Sequence, residues 1–482
     1  MNTAVEINPP LTAGVAREPA GPAAPIHSRR AGRTAALLVA VLFFAYLSNL
    51  RFVYTGDTAA TRYVPFSILL DGRLDVDRWI GSYLGPYQAG TVPWGVYFAV
   101  QARGHWMPTY PILTPLVVTP LYIPAALWIK HKGGEPSDDE MRFYAESMEK
   151  FSAALLTALS VGVLYLGLRR MAAPRASLAI ALIYGLASPT WNISSQVLWQ
   201  HALTELSLAL LLWALLRDAD DARGAFWIGL ALALALANKP TNGVLLLPVL
   251  IYLVWRKRAH LLPFFAPMVV LGGLAFAYNL YYFHSLLGGY NEAATTRGYG
   301  SWGAVFKGNV FTGAAGLLVS PSRGALWYIP WLVFAVWGAA RLWKENRWPS
   351  PWTPRLLLMG AVLYFLVFAK MVRWYAGYSF GPRYLTDLMP LAALCLVPLW
   401  PVLQRRKAVA AVFALTVALA FGVQVLGVYY YPNGGWNDRP VSVDVQPARL
   451  WDWSDPQILR TLKAGPAPTR LSRHLRGEHG LD

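Results

Sequence analysis

The residues best suited to chemistry lie in one charged stretch, YTGDTAATRYVPFSILLDGRLDVDRW, which runs from Tyr54 to Trp79 directly after the first long apolar segment. The charged residues of this stretch are Asp57, Asp71, Asp75, Asp77, Arg62, Arg73 and Arg78. A carboxylate with water on one side and low-dielectric protein on the other can serve as a base. We therefore predict that Asp57 is a base facing a cavity, and that later segments bring cationic groups to the same cavity.

Both parts of this stretch also have a purely structural interpretation. Gly56 and Asp57 are typical of a turn that caps a helix, in which the carboxylate accepts hydrogen bonds from backbone N–H groups. The stretch from Asp71 to Arg78 fits an amphipathic helix that lies in a membrane interface with its charges in water. Residue types alone do not separate these alternatives from a catalytic role.

Cations are concentrated in a second stretch, KMVRWYAGYSFGPRY, which covers residues 370–384 and includes Lys370, Arg373 and Arg383. The planar fork of arginine can donate two hydrogen bonds at once to a phosphate. We predict that these three residues bind an anionic group, with Tyr378 as a neighbouring substrate contact. Lipid headgroups, or pairing with Asp387, are the structural alternative.

Two weaker signals lie elsewhere in the chain. Arg323, in LLVSPSRGALWYIPW, follows a glycine-rich segment and is predicted either to bind phosphate or to anchor the chain at an interface. His201 and Glu205 are spaced i to i+4 on one helix face, so they could contact a substrate, bind a metal, carry protons or form a structural hydrogen bond.

The composition excludes a soluble protein. The 482 residues are 56% hydrophobic and 14% charged, and several apolar runs approach the 18 or so residues that cross a bilayer. The net charge of +17 comes from short basic clusters between apolar runs, which is the positive-inside pattern and not a nucleic-acid surface. The single cysteine, Cys395, excludes an internal disulfide. No HExxH, P-loop, GxSxG or dinucleotide motif is present.

The apolar runs predict an all-α protein with about 11 transmembrane helices. They lie at about residues 35–49, 151–168, 176–191, 202–216, 225–238, 242–255, 262–282, 324–340, 356–370, 385–402 and 408–429. Five basic loops then share one side, which the positive-inside rule makes cytoplasmic. The Pro-rich segment from Pro108 to Lys130 would reverse this pattern if it crossed, so we predict a broken or re-entrant helix there.

The same reading divides the chain into three parts. Residues 1–32 are predicted to be a disordered cytoplasmic tail, and residues 33–430 a transmembrane catalytic domain whose first extracytoplasmic loop, residues 51–107, carries interfacial helices. Residues 431–482 are predicted to be an extracytoplasmic tail. It could cover the cavity, with Trp451 and Trp453 either stacking on a sugar or anchoring at the interface.

One apolar span, an acid just beyond it, a long charged loop and many further spans resemble the GT-C superfamily of membrane glycosyltransferases. The segments GDTAATRYVPFSILLDGRLDVDRW, GLLVSPSRGALWYIPW and YSFGPRYLTDLMP are similar to bacterial proteins of the protein O-mannosyltransferase and aminoarabinose-transferase type. The resemblance covers about residues 35–430 and implies an inner-membrane enzyme of bacteria, with its active site on the extracytoplasmic face.

The resemblance also implies the chemistry and the partners. A sugar would move with inversion from a polyprenyl-phosphate donor to a lipid, glycan or protein acceptor, with Asp57 as base and Arg383 on the donor phosphate. Relatives often carry two acids in the first loop, but here Thr58 follows Asp57. The second acid is therefore Asp71, Asp75 or Asp77, or it is absent, and a role for Mg²⁺ or Mn²⁺ stays open.

Two other functions compete with this one. A transporter or flippase of lipid-linked sugars would also need a cationic cavity, although few charges interrupt the spans as a transport path would require. A polymer ligase or a non-catalytic scaffold is a further alternative, in which the acids could be replaced without loss of turnover.

Overall fold

The structure, a computed structural model, describes residues 28–53, 55–81, 96–217, 221–256, 258–344 and 350–469. Its longer helices are α1 (Ser28–Leu47), α2 (Leu113–Lys132), α3 (Asp138–Leu168), α4 (Pro174–Leu186), α5 (Gln200–Arg217), α6 (Ala222–Asn238), α7 (Asn242–Arg256), α8 (Leu261–Phe283), α9 (Tyr290–Thr296), α10 (Val310–Val319), α11 (Leu332–Trp343), α12 (Trp352–Ala369), α13 (Met389–Cys395), α14 (Lys407–Val425) and α15 (Gln457–Ala464). A hairpin of β1 (Ala99–Ala102) and β2 (His105–Pro108) follows the first charged stretch.

The all-α, multi-pass membrane fold is confirmed. Within the described ranges, seven helical segments are long and apolar enough to cross a membrane, and five shorter apolar helices of 10–17 residues accompany them. Each of the predicted spans coincides with helical structure, but three are interrupted. The span predicted at 176–191 leaves its helix, α4, at Leu186 and resumes in the turn Thr190–Ser194. The span predicted at 324–340 breaks between Ala325–Tyr328 and α11, and the span at 385–402 is a series of short helical turns that include α13.

The long helix α3 lies at the centre of the first half of the fold. It packs against α1, α4 and α5, and α5 in turn packs against α6. At the contact of α6 with α8, a Cβ atom on Gly229 would lie 1.9 Å from the carbonyl oxygen of Phe264. A glycine is therefore required there for the two helices to approach so closely.

The Pro-rich segment corrects one prediction. It forms a continuous helix, α2, with Pro120 and Pro124 inside it, and not a broken one. These prolines are four residues apart, so the backbone N–H groups that they lack would lie on one helix face. The opposite face keeps its backbone hydrogen bonds, and the helix continues.

The first charged stretch is also less helical than predicted. Residues 71–78 do not form one amphipathic helix, because the chain bends at Gly72, which has a φ of 67°. At the N-terminus, residues 1–27 of the predicted tail lie outside the described residues, and α1 already begins at Ser28.

Candidate active site

A large cavity of about 2450 Å³ lies beyond the end of α1. Its wall includes the turn after α1, the first turns of α3 and α5, and the loops that follow α9, α12 and α14. Asp57, Arg383, Arg373, Tyr378 and His201 all line this cavity. The structure thus brings together residues that are far apart in the sequence.

Asp57 is the centre of the polar cluster in this cavity. Its Oδ1 atom accepts hydrogen bonds from the hydroxyls of Tyr97 (3.1 Å) and Tyr110 (3.0 Å) and from Nη2 of Arg297 (3.0 Å). Its Oδ2 atom accepts a hydrogen bond of 2.8 Å from Nη1 of Arg383. The carboxylate, only 14% exposed, is therefore held by two cations and two hydroxyls.

The short 3₁₀ turn Gly56–Thr58 positions this carboxylate. Thr55 is the residue that caps the turn, and its hydroxyl accepts a hydrogen bond from the backbone N–H of Asp57. The side chain of Asp57 is thus free of any capping role and points to the arginines. Trp199 donates from its indole N–H to the Thr55 hydroxyl and ties the turn to the start of α5.

The pKa of Asp57 lies well below its ordinary value. Burial by itself would raise that pKa, but the charges of Arg383 and Arg297 and the hydrogen bond from Tyr110 outweigh the effect of burial. Burial, followed by the charge of Asp57, raises the pKa of Tyr97, so this hydroxyl keeps its proton and donates it. Asp57 is ionised at neutral pH and is a weak base while both arginines stay in place.

Both arginines are also held by aromatic rings. The Arg297 guanidinium lies 3.7 Å from the ring centre of Tyr97, and the Arg383 guanidinium lies 4.8 Å from that of Trp199. Stacking of this kind fixes the plane of a guanidinium and leaves its edge N–H groups for an anion.

A second buried polar cluster lies where α5 meets the turn at Arg383–Leu388. Asp387 accepts hydrogen bonds from Nδ1 of His201 (2.6 Å), from Nζ of Lys239 (2.6 Å) and from the hydroxyl of Tyr364. His201 and Lys239 line the cavity, whereas Asp387 is fully buried. The predicted pairing of Asp387 is thus with His201 and Lys239, and not with the cations of the 370–384 stretch.

Glu205 does not share this cluster with His201. It is fully buried and outside the cavity wall, and its Oε1 atom accepts a hydrogen bond of 2.6 Å from Thr190. The i to i+4 spacing on α5 therefore does not form a pair that could bind a metal.

Of the four predicted phosphate ligands, Arg383 and Arg373 reach the cavity. Arg373 has its Nε atom 3.7 Å from Asp444, and its neighbour Tyr378 shares a hydrogen bond of 2.6 Å with Ser442. Lys370 is exposed at the end of α12 and does not line the cavity.

Arg323 is also outside the cavity, because its guanidinium is completely buried in the protein. Its donors reach the carbonyl oxygens of Tyr375, Ser322 and Gly377 and the side chains of Gln457 and Asn437. This arginine holds the C-terminal segment and is not available to a substrate.

The three candidates for a second acid lie together, away from Asp57. None of Asp71, Asp75 and Asp77 lines the cavity. Asp71 pairs with Arg78 at 2.7 Å, and Arg73 donates to Asp75 (2.8 Å) and to Asp77 (3.1 Å).

Asp75 and Asp77 approach His105, and the ligand atoms of these three residues lie within 4.8 Å of one another. Such a set could hold a divalent cation such as Mg²⁺ or Mn²⁺. The guanidinium of Arg73 already occupies both acids, so a metal would have to displace it. A metal bound here would not contact Asp57.

Residues 148–282 match the family model described as Dolichyl-phosphate-mannose-protein mannosyltransferase. The predicted GT-C resemblance is confirmed. Over these residues the chain is similar to membrane glycosyltransferases, and the match indicates an enzyme of this type. The matched segment includes His201 and Lys239 but neither Asp57 nor Arg383.

A solved structure also resembles the chain. It is the crystal structure of ArnT from Cupriavidus metallidurans bound to undecaprenyl phosphate, at 16% sequence identity and a TM-score of 0.45. The similarity covers 90% of this chain and 75% of that one. No curated protein matches the chain.

Sequence reasoning missed several residues of the cluster around Asp57. Arg297 follows α9 in the segment between the spans predicted at 262–282 and 324–340, which lies on the side opposite the basic loops, as does Arg383, so a cation there runs against the positive-inside rule. That signal could have identified Arg297. Tyr97 and Tyr110 flank the β1–β2 hairpin, and nothing in their local sequence indicates that the hairpin brings them to Asp57.

Proposed function

We propose that the protein is an inverting glycosyltransferase, which moves a sugar from a polyprenyl-phosphate donor to an acceptor hydroxyl. The observation that carries the proposal is the Asp57 carboxylate, held by Arg297 and Arg383 in a cavity large enough for two substrates. The matched family is named for a donor of this chemical class, a sugar on dolichyl phosphate.

In the proposed reaction the acceptor oxygen attacks the anomeric carbon of the sugar. A new carbon–oxygen bond forms as the bond from that carbon to the phosphate oxygen breaks, and the acceptor proton passes to Asp57. The electron pair of the broken bond leaves with polyprenyl phosphate. Proton removal by a positioned base contributes roughly 10² to 10⁴ in rate. A single direct displacement inverts the configuration and needs one base only.

The two arginines have two roles in this scheme. Before the donor binds, they pair with Asp57 and keep its pKa low. A donor phosphate would compete with Asp57 for the N–H groups of the two guanidinium groups. When these groups bind the phosphate, they stabilise the carboxylate of Asp57 less. The pKa of Asp57 then rises toward its ordinary value, so binding of the donor turns a weak base into a stronger one. The arginines meanwhile stabilise the charge that builds on the departing phosphate.

The proposed location is the extracytoplasmic face of a bacterial inner membrane. Support comes from the basic clusters between the spans, which the positive-inside rule places on the opposite side from the end of α1. Asp57 follows α1 by ten residues and so lies on the side away from the basic loops. Apolar side chains on the outer faces of the helices would contact membrane lipids.

The test is turnover of the purified protein with polyprenyl-phosphate sugars. The native chain should release free polyprenyl phosphate, and Asp57→Asn should lose this activity by at least about a hundredfold if proton removal is rate-limiting. Asp71→Asn is the matched control, because Asp71 is an acid of the same loop that lies outside the cavity.

Full activity in Asp57→Asn, with the variant still monodisperse, would remove Asp57 from the mechanism. If the native chain released no polyprenyl phosphate from any donor and instead moved lipid-linked sugars across liposome membranes, the transporter would be the correct function.

A further inference from the structure

A second group of cations lines the same cavity on the wall that α1 and α3 share. Lys150, in the fourth turn of α3, is only 4% exposed, and it lines the cavity. Its ammonium group donates a hydrogen bond to Oε1 of Gln196. Among the described residues no carboxylate lies within 4.0 Å of this ammonium. A buried lysine without an acid is costly, so it needs a reason.

The acids nearest to Lys150 along α3 have another partner. Glu149 lies 3.2 Å and Glu146 lies 3.6 Å from the buried guanidinium of Arg62. Glu149 also accepts a hydrogen bond from the backbone N–H of Leu198. Both acids lie at Arg62, and neither carboxylate lies within 4.0 Å of the Lys150 ammonium.

A like charge makes the environment of Lys150 more positive. Arg51, just beyond α1, lines the same cavity, and Asn49 connects the two cations, because it donates both to Gln196 and to the Val428 carbonyl. The Arg51 guanidinium donates to the carbonyl oxygens of Val428 and Tyr431. Two cations thus face the cavity together without a carboxylate bound to Lys150.

Apolar side chains of the neighbouring helices line the same cavity. Leu47, Phe143 and Phe151 line the cavity, and they come from α1 and α3, which also brings Arg142, Glu146 and Ser147 to it. A cationic end with an apolar wall matches an amphiphile, which carries an anionic head and an aliphatic chain. A soluble sugar or a neutral peptide would leave the buried ammonium unpaired.

We propose that Lys150 and Arg51 form a second anion site, which binds a phosphate or carboxylate group on the acceptor. The inference rests on the proposed function, because the arginines at Asp57 are there assigned to the donor phosphate. The acceptor is accordingly an anionic amphiphile, held at the wall of α1 and α3 with its hydroxyl directed toward Asp57. The cavity then carries two anion sites, one for each substrate.

The test counts bound anionic amphiphiles without any turnover. Native mass spectrometry of the detergent-released chain with dodecyl phosphate should show two saturable adducts on the native protein. Lys150→Met should show one adduct and Arg383→Met should also show one. Lys150→Arg, which keeps the charge, should retain two. Lys307→Met is the matched control, an exposed lysine outside the cavity, and should retain two.

The same titration with dodecanoate in place of dodecyl phosphate separates the two head groups. The amphiphile whose second adduct disappears in Lys150→Met identifies the head group as phosphate or carboxylate. One saturable adduct on the native chain with both amphiphiles, or two adducts that persist in Lys150→Met, would overturn the proposal.

Loss of the second site and failure of the proposed function give different results. Turnover that persists in Asp57→Asn contradicts the transferase mechanism and leaves the adduct counts as they are. A native chain that turns over donor but binds only one amphiphile keeps the transferase and removes the second site.

Discussion

At the scale of single residues, Asp57 combines two properties that oppose each other in a base. The proposed base lines the cavity, yet Arg297 and Arg383 keep it ionised and its pKa low. A carboxylate stabilised so strongly has little tendency to take a proton. The conflict disappears if the donor phosphate competes for the arginines, and this competition can be measured through the pH dependence of turnover.

We predict that the acidic limb of kcat lies at higher pH than the acidic limb of kcat/KM. The kcat/KM profile reports the free enzyme, in which the lowered pKa of Asp57 places the limb below about pH 4, the ordinary value for an aspartate. The kcat profile reports the donor complex, in which the phosphate has taken up the charge of the arginines. A phosphodiester donor stays ionised over this range and does not titrate itself.

The measurement is steady-state release of polyprenyl phosphate between about pH 3 and 8, with donor and acceptor concentrations varied. Tm is measured at each pH, so that a fall in rate caused by unfolding is not mistaken for the titration of Asp57. Coincident limbs, or a kcat limb at the lower pH, would mean that the arginines remain on Asp57 throughout the reaction.

Replacement by lysine should affect donor binding at Arg383 and protein stability at Arg323. Arg383→Lys keeps a charge near Asp57 but loses the fork that donates to both Asp57 and the Ala376 carbonyl. Loss of one charge-assisted hydrogen bond, about 1.5 kcal/mol, predicts a donor KM roughly tenfold higher with little change in Tm. Initial rates over a range of donor concentrations provide the check.

Arg323→Lys should instead lower Tm and leave the donor KM of the folded protein unchanged. Arg323 makes five hydrogen bonds, and lysine has too few donors to replace them. A raised donor KM in Arg323→Lys at normal Tm would contradict this prediction and show that Arg323 takes part in donor binding.

The contrast between Arg383 and Arg323 shows what the sequence can predict at this scale. Both are cations in segments predicted to lie on the outer side, and this pattern predicted both as phosphate ligands, but of the two Arg383 lines the cavity and Arg323 does not. It cannot distinguish a guanidinium at a cavity from one buried against backbone carbonyls, because that depends on contacts with the distant residues Asn437 and Gln457. Asp57 was found because the end of α1 fixes its place, whereas Tyr97 and Tyr110 depend on a hairpin that the sequence did not indicate.

At the scale of elements, the Pro-rich helix α2 decides the topology. It is long enough to cross a membrane, but both of its ends contact the first extracytoplasmic loop or the wall of the cavity. Tyr110, before α2, donates to Asp57. At its other end Lys130 donates to the carbonyl of Leu69, and Lys132 pairs with Glu140, which lines the Asp57 cavity. We therefore predict that α2 lies on the outer side and does not cross, as the positive-inside pattern requires.

Cysteine labelling tests this topology in a Cys395→Ala background. Gln101→Cys and Glu135→Cys are exposed positions before and after α2, and Arg406→Cys is an exposed position in a predicted cytoplasmic loop. A membrane-impermeant maleimide should modify the first two from the same side and Arg406→Cys from the other. Modification of Gln101→Cys and Glu135→Cys from opposite sides would mean that α2 crosses the membrane and that every later loop changes sides.

At the scale of the whole molecule, the C-terminal segment after Tyr431 is part of the fold and of the cavity wall. Residues 431–439 line the cavity, and Asp444 accepts a hydrogen bond of 2.9 Å from Tyr375. Trp451 and Trp453 do not line the cavity, so a role in stacking on a sugar has no support in the geometry. They pack instead against Trp374 and Trp327.

Gln457, at the start of α15, is the residue through which this segment holds the loops of the site. Its side chain accepts hydrogen bonds from Arg323 and from the backbone N–H of Gly381, and it donates to the carbonyl of Ser379. Gln457→Leu would leave the buried Arg323 short of an acceptor, at a cost of about 1–3 kcal/mol for each unsatisfied group. We expect a clear fall in Tm and, because Gly381 lies two residues before Arg383, a higher donor KM.

Trp451→Ala with Trp453→Ala is the matched variant in the same segment. These rings are 36% and 60% exposed, so their loss should leave donor KM unchanged. Thermal unfolding and donor kinetics of both variants show whether the segment supports the site through Gln457 and Arg323 or contacts the sugar through its tryptophans. If the tryptophan variant lost donor binding while Gln457→Leu kept it, the segment would act on the sugar directly, and the packing through Arg323 would be irrelevant to the site.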